Sequence, residues 1–133
     1  MTKAQKTQQK DLQTIGAGAY AAIEEMVQAL SACGEDDDDA REKTTQAIQE
    51  DPLSIEVGGF WTPGEQNPEP TEYRVLLATG GPAVRIVGNL GRYGQPDTAT
   101  LQVQDWFTPW TDYNGASESV LLEYLACLYF GEG

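Results

Sequence analysis

The densest set of potential metal ligands in the chain is a run of five acidic residues, Glu35–Asp39. Carboxylates suit Ca²⁺, but a calcium-binding loop alternates its oxygen ligands, includes a glycine and ends on a bidentate glutamate. The run has none of these features. Acidic residues are stabilised at a helix N-terminus by the helix dipole, and Asp39 and Glu42 have a capping-box spacing. We therefore expect a solvated helix start and no metal site.

The chain lacks the residues that most catalytic sites need. It contains no histidine, which excludes imidazole acid–base catalysis and histidine metal ligands. The glycines of Thr79–Pro82 resemble a phosphate loop, but a β-branched strand follows them and no lysine follows Lys43. They predict a hairpin turn instead. Among 21 acidic residues, carboxylate pairs at glycosidase separation arise by chance. We predict no catalytic residue, no cofactor and no enzyme activity.

Two cysteines, Cys33 and Cys127, are the only thiols in the chain. They are too few for a common structural zinc site, and they belong to no C-x-x-C pair. Both lie on apolar faces of predicted helices, where a reduced cysteine packs as a small hydrophobic side chain. We expect free thiols, and a disulfide is the alternative.

The aromatic residues concentrate in one segment, which runs from Gln104 to Tyr113 and contains four of them. One interpretation is a recognition strip, since tryptophan and tyrosine dominate binding hot spots and carboxylates beside them suit an arginine-rich partner. The other is that these rings close one end of the core beneath the last helix. Strand alternation places Phe107 in the core and Trp106 on the opposite face.

The charge balance is strongly acidic, with 21 acidic against 8 basic residues and a net charge of −13. This excludes a basic nucleic-acid reader and a polybasic membrane-surface protein. No apolar stretch is long enough to span a membrane, and the N-terminus lacks a signal peptide, so we expect a cytoplasmic protein. A row of surface anions suits a partner with a basic phosphate-binding groove.

The helical period begins at Leu12 and continues to Leu30, with apolar residues at spacings of three and four. Gly16 and Gly18 weaken this helix but permit a close contact with it. A second helix is predicted over 39–50, where a proline soon follows.

Beyond Pro52 the pattern changes to strands around Ile55 and Val57 and over Glu72–Ala78, Ala83–Gly88 and Thr98–Trp106. A last helix follows Ser117. We predict an α+β fold with N-terminal helices, an antiparallel four-stranded meander and a C-terminal helix packed on the sheet. Residues 1–10 are expected to form a flexible arm. Residues 11–133 form a single domain, with helices in 11–50 and the sheet and last helix in 53–133.

Three segments carry a resemblance to a known group of proteins: Ala78–Gly88, Val103–Tyr113 and Tyr129–Glu132. They resemble small acidic proteins of unassigned role that bacteriophages, prophages and other bacterial mobile elements encode. The resemblance covers roughly the last 80 residues, and the group has no catalytic motif to transfer. It implies a setting in which small acidic proteins disarm host defences, as anti-CRISPR and anti-restriction proteins do.

These observations predict a protein that binds and blocks a host nucleic-acid-handling defence complex through acidic and aromatic surface. It would mimic nucleic acid rather than bind it. The candidate interface residues are Asp36, Asp37, Asp38, Asp105, Trp106, Trp110, Asp112 and Tyr113.

Two alternatives stay open, and the oligomeric state is undetermined. One is a protein that sequesters a small nucleotide signal, which would need Arg74, Arg85 and Arg92 to converge, because the net charge repels anions. The other is a phage structural or assembly protein.

Overall fold

The computed structural model describes residues 3–34, 36–58, 71–79, 82–91, 94–105, 108–128 and 130, with the backbone alone for 3–10. The elements are α1 (Lys3–Ala32), α2 (Asp38–Glu50), β1 (Ser54–Gly58), β2 (Glu72–Ala78), β3 (Ala83–Asn89), β4 (Thr100–Gln104), β5 (Thr111–Asp112) and α3 (Glu118–Leu125). The predicted α+β class is confirmed. Among the described residues the sheet has five strands rather than the expected four, because the chain adds a two-residue strand after Pro109.

Helix α1 begins at Lys3, so it includes most of the segment expected to be an arm. Leu12, Gly16, Ile23 and Val27 are buried. Their spacings of four, seven and four residues place them on one face of the helix. That face packs against the rest of the chain and anchors the helix along the sheet.

Helix α2 begins one residue earlier than expected, and its N-cap is Asp37 rather than Asp39. The Asp37 carboxylate accepts a hydrogen bond of 3.2 Å from the backbone N–H of Ala40. Ile48 is the buried residue of this helix. A helix with so little apolar burial depends strongly on its cap, because capping contributes about 1 kcal/mol.

The five strands form a meander in chain order, and every neighbouring pair is antiparallel. Alternate strand residues are buried on one side of the sheet; these are Tyr73, Val75, Val84, Ile86, Leu101 and Val103. All of them except Val103 belong to a core to which all three described helices contribute. The residues between them lie on the opposite side of the sheet, which we call the open face. It includes Glu56, Glu72, Arg74, Leu76, Arg85, Val87, Asn89, Thr100 and Gln102.

Two buried tyrosines hold the core together through their hydroxyl groups. Tyr124 donates a hydrogen bond of 2.7 Å to Asp51 Oδ2 and thereby joins α3 to the end of α2. Tyr73 donates to the carbonyl oxygen of Thr98. Gly88 permits that approach, since a Cβ at this position would overlap the carbonyl. Burial raises the pKa of both tyrosines.

Candidate functional site

The first group of candidate interface residues, Asp36, Asp37 and Asp38, lies at the N-terminus of α2. All three side chains are exposed. Asp37 has a structural role as the cap, and Asp38 lies in the first turn, where the helix dipole stabilises a negative charge. The exposed carboxylates of Asp36 and Asp38 therefore lie on either side of the cap, one before it and one after it.

The second group lies around the hairpin between β4 and β5. Asp105 directly follows β4, Trp110 precedes β5, and the exposed Asp112 is the last residue of β5. The predicted placements of Trp106 and Phe107 on opposite faces concern residues outside the described part of the chain. Within that part, the hairpin carries two carboxylates and one half-buried tryptophan.

Tyr113, the last candidate of the second group, packs against α1. Its ring centroid is 6.2 Å from that of Tyr20, and it contacts the hydrophobic core. Gln13 holds the backbone on both sides of Tyr113. Its Nε2 donates to the Asp112 carbonyl at 3.2 Å, and its Oε1 accepts from the N–H of Asn114 at 3.2 Å. Tyr113 thus contributes to the attachment of the hairpin to α1.

The first group follows the C-terminal end of α1, whereas the second group lies against the middle of this helix. The second group contacts this helix around Gly16, whereas Cys33 lies 4.0 Å from the hydroxyl of Thr44 in α2. The seventeen residues of α1 from Gly16 to Ala32 correspond to about 25 Å of helix. Exposed charges are screened over about 8–10 Å at physiological ionic strength, so the groups are two separate acidic sites rather than one patch.

A hydrogen-bonded row of polar side chains crosses the open face from β3 to β5. Arg85 Nε donates to Gln102 Oε1 at 2.8 Å, and Gln102 Nε2 donates to Asp112 Oδ1 at 2.9 Å. The guanidinium carbon of Arg85 lies 4.0 Å from the ring centroid of Trp110, a cation–π geometry. The row therefore joins two candidate interface residues to an arginine outside the candidate set.

Arg74 is a second arginine on the open face, diagonal to Arg85 across β2 and β3. The pKa of Arg85 is lowered, first by burial and then by the positive charge of Arg74, while Glu56 opposes this shift. Both arginines line a shallow pocket of about 370 Å³, to which Glu72 and Asn89 also contribute.

From the sequence, Arg74 and Arg85 were named only because the nucleotide-binding alternative requires them to converge with Arg92. The structure brings these two together, and Arg92 lies outside the described residues. The pairing of Gln102 with Arg85 was not predicted. The sequence signal for this arrangement was the period of two in β2, β3 and β4. Once the strand register is known, that period places Arg74, Arg85 and Gln102 on one face of the sheet.

Acidic charge dominates the surface of the described residues. Fourteen of the seventeen acidic side chains described there are exposed, against Arg41 and Lys43 among four basic ones. The exposed acidic residues are Asp11, Glu25, Asp36, Asp37, Asp38, Asp39, Glu42, Glu50, Asp51, Glu56, Asp97, Asp112, Glu118 and Glu123.

Cys33 and Cys127 are free thiols, as expected, and burial raises the pKa of Cys127. Across the described ranges, no three Cys, Asp or Glu side chains converge as metal ligands do. In the same part of the chain, no helix combines the length and apolarity needed to cross a bilayer.

Comparison with known proteins identifies no relative, since no protein-family model, curated protein or solved structure matches the chain.

Proposed function

We propose that this chain is a binding protein that blocks a nucleic-acid-handling defence complex of a bacterial host by occupying a basic surface of that complex. The observation that supports the proposal is the exposure of fourteen acidic side chains against two basic ones among the described residues. Such a surface repels nucleic acid and attracts the lysine-rich and arginine-rich grooves that bind it. The site of action would be the host cytoplasm, and the coding element a phage or a mobile element.

The two acidic groups have different parts in this proposal. The α2 group offers exposed carboxylates beside a satisfied cap. The hairpin group places Asp112 next to Trp110 through the row on the open face. Their separation, about 25 Å along α1, corresponds to about 15 phosphates of a duplex, which carries one charge per about 1.7 Å of axis.

The test is capture of host proteins on the immobilised full chain, at low and at moderate salt, with and without duplex DNA as competitor. We expect the captured proteins to bind nucleic acid and to be released by salt and by the duplex, because both compete for the same basic groove. Capture that resists both competitors would contradict the proposal.

A matched pair of variants locates the effect. Asp36→Asn with Asp38→Asn removes two charges beside the α2 cap and leaves Asp37 in place, whereas Asp11→Asn with Glu123→Gln removes two exposed charges elsewhere. Capture should weaken for the first pair and persist for the second. In a host carrying the captured defence system, the natural chain should restore phage plaquing and the first pair should not. Equal effects of the two pairs would show that only net charge matters and would refute the assignment to α2.

A further inference from the structure

Arg85 is unusually restrained for an arginine on a sheet surface. Its Nε is bonded to Gln102, and its guanidinium lies over the ring of Trp110. Gln102 is in turn fixed by Asp112. An exposed arginine ordinarily keeps its rotamer freedom, which amounts to about 2 kcal/mol. Here that entropy is already lost, so the terminal N–H donors of Arg85 are held in place before any ligand arrives.

A second guanidinium lies beside this restrained one. Arg74 occupies the diagonal position on β2, and the two line the same pocket of about 370 Å³. Two like charges on one face repel each other, and a bound anion between them removes that repulsion. The pocket volume lies within the range of small-molecule sites, about 300–1,000 Å³.

We propose that the open face binds a small phosphorylated ligand with a planar ring, of the nucleotide class, with the phosphate on Arg74 and Arg85. Guanidinium groups bind phosphate in a bidentate fashion. A base can stack on the guanidinium plane of Arg85, whose other side is covered by Trp110. This inference does not rest on the proposed inhibitor function, although Trp110 and Asp112 take part in both.

The acidic neighbours of the pocket limit which anion fits. Glu56 lies opposite Arg74 across β1 and β2, and Glu72 lines the pocket. A carboxylate accepts hydrogen bonds from hydroxyl or amino groups, and a nucleotide supplies such donors through its sugar and base, away from its phosphate. A long polyanion is excluded, because the net charge of −13 repels it.

The test is calorimetric titration of the full chain at low salt with AMP, GMP, CMP and UMP, and with adenosine and inorganic phosphate as partial ligands. We expect at least one nucleotide to bind with a Kd below about 1 mM. Adenosine and phosphate should each bind at least about tenfold more weakly, since each lacks half of the contacts. No measurable nucleotide binding, or adenosine binding as tightly as AMP, would overturn the proposal.

Variants assign the site. Arg85→Gln and Arg85→Lys should both weaken nucleotide binding by about tenfold or more, because lysine keeps the charge but not the planar fork. Arg41→Gln removes the same charge from α2 and should leave binding unchanged. Equal binding by Arg85→Lys and the natural chain would refute the site. If Arg85→Gln does not fold, NMR spectra of the natural chain provide the test. AMP should shift the amide signals of Gln102 and Val87 and leave those of α2 unchanged. Shifts in α2 without shifts at Gln102 and Val87 would refute the site.

Discussion

The ring of Tyr113 lies directly on the backbone of Gly16. A Cβ built at Gly16 would lie 2.7 Å from ring atoms of Tyr113, whereas one built at Gly18 would meet no atom within 4 Å. The two glycines have the same helix propensity and very different surroundings. The close helix contact that the sequence indicated is therefore confirmed at Gly16 alone.

This difference gives a matched pair of variants. Gly16→Ala should destabilise the protein by about 1–3 kcal/mol, because the methyl group forces the hairpin away from α1. Gly18→Ala should stabilise it by up to about 1 kcal/mol through helix propensity. Urea unfolding followed by circular dichroism measures both. Equal responses of the two variants would show that the Tyr113 contact contributes nothing to stability.

Gln13 is expected to stabilise the hairpin through its two hydrogen bonds with the backbone on either side of Tyr113. Gln13→Ala should cost about 1–2 kcal/mol and should accelerate amide hydrogen exchange at Asn114. Gln28→Ala, at an exposed position of the same helix, controls for the difference in helix propensity between glutamine and alanine. It should change neither the free energy of unfolding nor the hydrogen exchange at Asn114. Unchanged exchange at Asn114 in the Gln13 variant would contradict the prediction.

Alkaline pH should unfold the protein through Tyr73 and Tyr124. Burial raises the pKa of both, and the hydrogen bond to Asp51 raises that of Tyr124 further. The folded-state pKa of each tyrosine lies above the unfolded value near 10. The two tyrosines therefore contribute fully to the free energy of unfolding below about pH 10, and this contribution is lost as the pH rises beyond it. Absorbance at 295 nm should show two tyrosines ionising only as the chain unfolds. Ionisation of every tyrosine in the folded protein would disprove this.

Calcium should leave the melting temperature unchanged, because the acidic run begins α2 through the Asp37 cap. A site of micromolar affinity would raise stability by several kcal/mol at millimolar calcium through linkage, about 4 kcal/mol at a thousandfold excess over Kd. Calorimetric melting with calcium, and with magnesium as the control, provides the measurement. An upward shift specific to calcium would overturn the cap interpretation.

The sequence predicted those parts of the fold that follow from local periodicity. The period of two along the predicted fourth strand agrees with the burial of Leu101 and Val103. The fifth strand was missed because two residues, Thr111 and Asp112, carry no alternation of their own. They pair with β4, and Gln13 of α1 and Gln102 of β4 both bond to Asp112.

The residue pairs on the open face could not be predicted from any local sequence pattern. Arg74 and Arg85 are diagonal neighbours because Leu76 pairs with Arg85, and the register of β2 and β3 then shifts before Ala78. The pairing of Arg85 with Gln102 needs the β3–β4 register as well. These relationships are set by packing of the whole sheet on the helices.

The amide of Gln13 also bears on how the protein behaves when concentrated. A sheet edge with unpaired N–H and C=O groups is a template on which further chains add strands and fibrils grow. At β5 the carbonyl of Asp112 and the N–H of Asn114 are already paired with one side chain from α1. An incoming strand would first have to detach that helix, so α1 makes this edge a poor seed for self-assembly.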